Sequence, residues 1–186
     1  MSKHDIIMAG FGGQGVMSMG TLLTYAGMIE GKNVSWIPSY GPEMRGGTAN
    51  CSVVISDSPI ASPLVTKPTA VIAMNLPSLD KFESWLEPGG VLIINSSMVN
   101  RKAQRDDIIV VEVPANEVAQ ELGSSRIANM VALGAYVTAT GAVKAESVLD
   151  SLKEALPAHR HNLIPLNKEA LERGGAFAQQ DRSSGR

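Results

Sequence analysis

A lone cysteine, Cys51, is the only thiol in this chain. That excludes an internal disulfide, and it excludes an iron–sulfur cluster held by four thiolates of the same polypeptide. Histidine is scarce too. There are three, and the His159/His161 pair has no third ligand nearby in the sequence. Such a set gives no metal site and no nucleophile–base pair. Aromatics make up 4% of the sequence against nine methionines, so the core must be aliphatic and adaptable. Neither sign of charge dominates, and a net charge of −2 gives nothing to attract nucleic acid or an anionic membrane surface. Long apolar runs are missing as well. None approaches the ~18 residues of a spanning helix, and Asp5 interrupts the N-terminus where a signal peptide would need an apolar stretch. A cytoplasmic address is expected.

What is present is alternation. Asp5–Ala9, Ala70–Met74 and Val91–Asn95 are short, continuous apolar runs of the kind that form strands covered on both faces. Asn33–Pro38, Thr48–Ser56 and Ile108–Val113 are three further strand candidates. Between and after them lie helical patterns: Gln14–Glu30, a short helix capped by Ser78, Asn116–Leu122, Arg126–Thr140 and Lys144–Leu156. Asn167 is placed to cap a last turn or two ending at Gly174-Gly175. The second and third strands are joined by too few residues for a crossover helix, so they are expected to be antiparallel neighbours. The predicted fold is α/β. It is a single three-layer domain over residues 1–175, an open, mixed, mostly parallel, Rossmann-like sheet with helices on both faces, followed by a disordered tail at 176–186.

Two loops stand out. Gly10-Phe11-Gly12-Gly13-Gln14-Gly15 follows the first strand, opens the first helix and satisfies G-x-G-x-x-G. Glycines there allow a sharp turn and close backbone approach, and the helix start aims N–H groups and a positive dipole end at whatever binds. A dinucleotide site also needs an acidic residue ~20 residues on, at the end of the second strand. Here that strand ends at Ile37-Pro38-Ser39-Tyr40, without a carboxylate. Three readings stay open: a dinucleotide site, a ligand-free structural turn, or a site for another anionic group or a partner's backbone. The second loop is Tyr40-Gly41-Pro42-Glu43-Met44-Arg45-Gly46-Gly47. Arg45 could present its planar fork to a carboxylate or phosphate, or could pair with Glu43 and stiffen the turn. If the first two strands run parallel, both loops share one rim.

Taken together, the two loops, with Thr48-Ala49-Asn50-Cys51 after the second and Asn129-Met130-Val131-Ala132-Leu133-Gly134-Ala135 later, closely resemble the gamma subunit of the 2-oxoacid:ferredoxin oxidoreductases. Arg45-Gly46-Gly47 looks more like the 2-oxoglutarate and branched-chain members than the pyruvate members. The resemblance implies oxidative decarboxylation of a 2-oxoacid, 2-oxoglutarate first among the candidates, to an acyl-coenzyme A, with electrons passed to ferredoxin. It implies that thiamine diphosphate, Mg and [4Fe–4S] clusters sit in alpha, beta and delta partner subunits, with no cofactor in this chain and coenzyme A as co-substrate. This chain would then be inactive alone and would support assembly and the coenzyme A rim. Gly12, Gly13, Gln14, Gly15, Tyr40, Glu43, Arg45, Gly46 and Asn129 are the rim or partner-binding residues so implied, with no catalytic residue and no metal ligand among them. Self-association into a homodimer is expected in isolation. The alternatives are a stand-alone NAD(P)-dependent Rossmann oxidoreductase, a pyruvate- or indolepyruvate-specific member of the same family, or a binding module with no enzyme partner.

Overall fold

The continuous apolar runs become the centre of a six-stranded sheet in a computed structural model that describes residues 1–39 and 48–184. The strands are β1 (Lys3–Phe11), β2 (Asn33–Ser39), β3 (Thr48–Ser56), β4 (Ala70–Ala73), β5 (Val91–Asn95) and β6 (Ile109–Val113), ordered β2-β3-β1-β4-β5-β6. β4, β5 and β6 continue parallel from β1. β3 is antiparallel to both β1 and β2, so β2 points the same way as β1. The expected mixed sheet is therefore present, with one reversed strand.

Alternate residues of each central strand feed different layers, as a period of two requires. Ile6, Met8, Ile72 and Ile93 join one apolar core with α1 (Val16–Ile29), α3 (Ala115–Glu121), α4 (Ala128–Thr140), α5 (Ala145–Ala155) and α6 (Ile164–Ser184). Ile7, Ala9, Val71 and Leu92 join a second core under α2 (Leu76–Phe82), which supplies Leu79 and Phe82. That gives helices on both faces.

Two local expectations are corrected. α2 starts earlier than Ser78, because Asn75 caps it: its Oδ1 accepts the Ser78 N–H at 2.9 Å. The larger correction concerns the C-terminus, where the sequence pattern ends a helix at Gly174-Gly175 and leaves a disordered tail. Instead α6 runs from Ile164 through both glycines to Ser184, and Asn167 lies inside it, donating to the Leu163 carbonyl at 2.8 Å. The glycines are there for a crossing. A Cβ on Gly174 would land on the Val131 carbonyl, and one on Gly134 would land on the Leu171 carbonyl. α4 and α6 thus meet backbone to backbone, and a residue pair that usually stops a helix here permits a contact.

Glu30, at the end of α1, holds the start of α5. Its Oε1 accepts the Lys144 N–H at 2.6 Å, and its Oε2 lies 3.6 Å from Lys32 Nζ. Burial works against the charge, but the Lys144 N–H, the Ser147 hydroxyl and the Lys32 ammonium outweigh it and hold the carboxyl below its ordinary pKa. A lowered folded-state pKa means stability that is present above the unfolded value and is lost as pH falls through the folded one. Glu30→Gln is therefore expected to lower the urea midpoint at pH 7. The gap to the parent should close as both are acidified below about pH 4; a gap independent of pH would refute this.

Candidate functional site

β1 ends at Phe11 and α1 starts at Val16, and the chain between them is held by few contacts. Gly13 and Gly15 have φ of +88° and +74°, backbone that side-chain-bearing residues rarely adopt. Gln14 N–H closes the turn onto the Phe11 carbonyl at 3.2 Å. Gly15 is the N-cap of α1 and offers no side chain, so the first-turn N–H groups of the helix have neither an intrahelical acceptor nor, among the described residues, a side-chain cap. No acidic residue lies in that turn. The positive end of a 14-residue helix therefore faces an open depression of about 330 Å³, lined by Phe11, Gly12, Gly13, Gly15, Val16 and Met17.

The side chains of Gln14 and Asn129 do meet this turn, but they face inward. Gln14 Oε1 accepts the Phe11 N–H at 2.6 Å, and its Nε2 donates to the Met74 carbonyl at 3.2 Å, so both ends of the amide bond within the chain. Asn129, in the first turn of α4 and buried, donates to the Gly15 carbonyl at 3.2 Å, while its Oδ1 accepts the Met130 N–H at 2.9 Å. A Cβ on Gly15 would sit 2.5 Å from Asn129 Nδ2, so glycine is needed there for space as well as for φ. What faces outward is main chain.

The second loop's candidates, Tyr40, Glu43, Arg45 and Gly46, lie outside the described residues. The endpoints of that connection are described. Thr48 pairs with Phe11, and Ser39 pairs with Asn50, both through antiparallel ladders. The connection therefore leaves and returns at the edge of the sheet that carries the glycine turn. On the α2 side of the same sheet half lies a cavity of about 450 Å³, whose lining includes Ile37, Ser39, Asn50, Leu64, Phe82 and Trp85. Leu64 is 71% exposed and Trp85 40%, with Trp85 edge-on to Phe82 at 5.1 Å between ring centres.

Sequence reasoning missed Asn95. It closes the apolar run of β5 and is 1% exposed. Its Nδ2 donates to the Met74 carbonyl at 3.2 Å and to Asn116 Oδ1 at 2.8 Å, and its Oδ1 accepts the Ala115 N–H at 3.1 Å. The available signal was an amide ending an otherwise apolar strand, at the carboxyl edge where ligands of such sheets gather. Cys51 is fully buried, and burial pushes its thiol pKa up to about 12, which leaves no thiolate for chemistry. Among the described residues no group of His, Cys, Asp and Glu is arranged to hold a metal ion.

This geometry fits a nicotinamide dinucleotide poorly, because β2 reaches its end at Ser39 without the carboxylate that would hold the ribose hydroxyls.

Comparison with known proteins gives a consistent picture. The family model described as pyruvate ferredoxin/flavodoxin oxidoreductase matches residues 5–177. The chain is 38% identical over 176 residues to ketoisovalerate oxidoreductase subunit VorA of Methanothermobacter marburgensis, covering 94% of this chain but 36% of that protein. It thus spans about a third of the length of that relative. It is 32% identical over 171 residues to 2-oxoglutarate synthase subunit KorC of Methanocaldococcus jannaschii, covering 89% of this chain and 91% of KorC. Among solved structures, the gamma subunit of a keto/oxoacid ferredoxin oxidoreductase from Geobacter sulfurreducens superposes with a TM-score of 0.83 at 30% identity, over 95% of this chain and 99% of that one. The order of strands, the glycine turn after β1 and these matches lead to one assignment: the chain belongs to the pyruvate ferredoxin/flavodoxin oxidoreductase family.

Proposed function

We propose that this chain is the gamma-type subunit of a multi-subunit 2-oxoacid:ferredoxin oxidoreductase acting in the cytoplasm, and that 2-oxoglutarate is its oxoacid. The complete enzyme oxidatively decarboxylates the oxoacid, transfers the acyl group to coenzyme A and delivers electrons to ferredoxin. Thiamine diphosphate with its Mg, and the iron–sulfur clusters, belong to alpha, beta and delta partners; a single buried Cys, and no clustered acidic or histidine ligands among the described residues, make this chain a poor holder for them. The role of this chain is assembly and the coenzyme A rim. One observation carries that reading: uncapped helical N–H groups and both endpoints of the 40–47 connection lie at the same sheet edge. Main-chain donors there suit a phosphate or a pantetheine amide, and Arg45 adds a cation. The exposed apolar residues Leu64, Trp85, Tyr25, Met28 and Ile29 suit contacts with partner subunits, or with a second copy when those are missing.

Arg45→Ala in the enzyme assembled with its native partners tests the rim. The expected result is about a tenfold rise in KM for coenzyme A, the scale of one charge-assisted hydrogen bond. Unchanged KM for coenzyme A and for the oxoacid, together with unchanged subunit affinity, would remove Arg45 from the rim. The same preparation ranks 2-oxoglutarate against 2-oxoisovalerate and pyruvate, and a clear preference for either of the latter refutes the substrate assignment.

A further inference from the structure

Two amides share one carbonyl oxygen beneath the glycine turn. Met74 O accepts from Gln14 Nε2 and from Asn95 Nδ2, each at 3.2 Å, which occupies both of its lone pairs. The far end of each amide fixes a different element. Gln14 Oε1 holds the Phe11 N–H at the end of β1, and Asn95 Oδ1 holds the Ala115 N–H at the start of α3. Met74 itself donates to the Ala9 carbonyl at 2.8 Å, so its carbonyl cannot drift from β1. Gly10 leaves room for this junction, because a Cβ there would lie 2.6 Å from Gln14 Oε1 and 2.8 Å from Met74 Cβ.

The turn has little else to hold it. A Cβ on Gly12 or Gly13 would meet nothing within 4 Å, and among the described residues only Gln14 and Asn129 tie it down by side-chain hydrogen bonds. A partly buried amide network of this type fixes geometry in a way that an apolar residue of the same volume does not. Asn95 reaches no surface itself, so any influence it has on the rim runs through Met74 and Gln14.

We propose that Asn95 is a positioning residue: through the shared Met74 carbonyl it sets the orientation of Gln14, and so the direction in which the glycine turn presents its N–H groups to coenzyme A. This rests on the rim reading above. Asn95→Asp tests it with little change in volume. The carboxylate still accepts from Ala115 but cannot donate to Met74. Gln14→Glu makes the matching change from the half-exposed turn, without disturbing the core.

The assay uses the enzyme assembled with its native partner chains, with coenzyme A as the varied substrate. Each variant is expected to raise KM for coenzyme A several-fold, with kcat and KM for the oxoacid within twofold of the parent. The effects of the two variants are expected to be non-additive, because both act on one oxygen. Lowering the pH is expected to return the KM of Gln14→Glu toward the parent's value at that pH, since a protonated carboxyl can donate again. KM for coenzyme A unchanged in Gln14→Glu, or fully additive effects, overturns the proposal. Gly12→Trp, which fills the open side of the turn, separates the two readings. If it raises KM for coenzyme A while the amide variants do not, the rim stands and the positioning role falls. If it does not, the rim reading itself fails and takes the proposal with it.

Discussion

Gly174→Ala is expected to destabilise the protein by about 3 kcal/mol, lowering its melting temperature by about 10 °C. The sign is the point of interest. In a helix interior with free space, the same change stabilises by about 1 kcal/mol through helix propensity. Here the new methyl falls on the Val131 carbonyl, which belongs to the backbone of α4 and cannot rotate away. The two helices must separate, and the apolar seam around Val131, Leu133 and Leu171 opens with them. Gly134→Ala attacks the same crossing from the other side, at the Leu171 carbonyl, so the pair is expected to cost less than the sum. Gly12→Ala, where a Cβ meets nothing, serves as the control and should stay within about 0.5 kcal/mol of the parent. Thermal and urea unfolding of the three variants checks this, and a stabilised Gly174→Ala would show that the crossing is looser than described.

Removing Glu83 is expected to cost about 2 kcal/mol. This carboxylate is 5% exposed, directly after α2. It accepts the Gln104 N–H and lies 2.9 Å from the Arg101 guanidinium, which also bonds Asp80. Arg105 donates to the Leu86 carbonyl at 2.6 Å and pairs with Asp107. Together these contacts fasten the 96–108 connection to the end of α2. Glu83→Ala leaves a backbone donor and a partly covered cation without their partner. Arg101 keeps some access to water, at 23% side-chain exposure, which is why the expected cost is below that of a fully buried pair. Glu83→Ala with Arg101→Ala should be no less stable than Glu83→Ala alone, and a double-mutant cycle on urea midpoints measures the coupling. A loss under 0.5 kcal/mol, the scale of a surface change, would mean the cluster is dispensable.

The central sheet was legible because its strands are written without ambiguity. The cores of β1, β4 and β5 are unbroken apolar runs bounded by glycine or polar residues, and such runs have few other uses. The antiparallel placing of β3 followed from the shortness of its connection to β2. The C-terminal helix was not legible, because a glycine pair carries two meanings that only a neighbour can separate. Without α4 beside it, Gly174-Gly175 signals an end; against the α4 backbone it signals close contact. The same holds for the site. The glycine turn and its place at the end of β1 could be read, since an apolar run ending in glycines encodes both. That Gln14 and Asn129 point inward, and that Asn95 belongs with them, depends on where Met74 and Gly15 arrive in space, and no local pattern encodes that.

The reversal of β3 has a consequence for how such a protein can diversify. Ser39 and Thr48 are each locked in a ladder, so the segment between them begins and finishes at fixed points whatever its composition. Substitutions between those two anchors therefore leave both ladder endpoints in register, and the order of the sheet does not change with them.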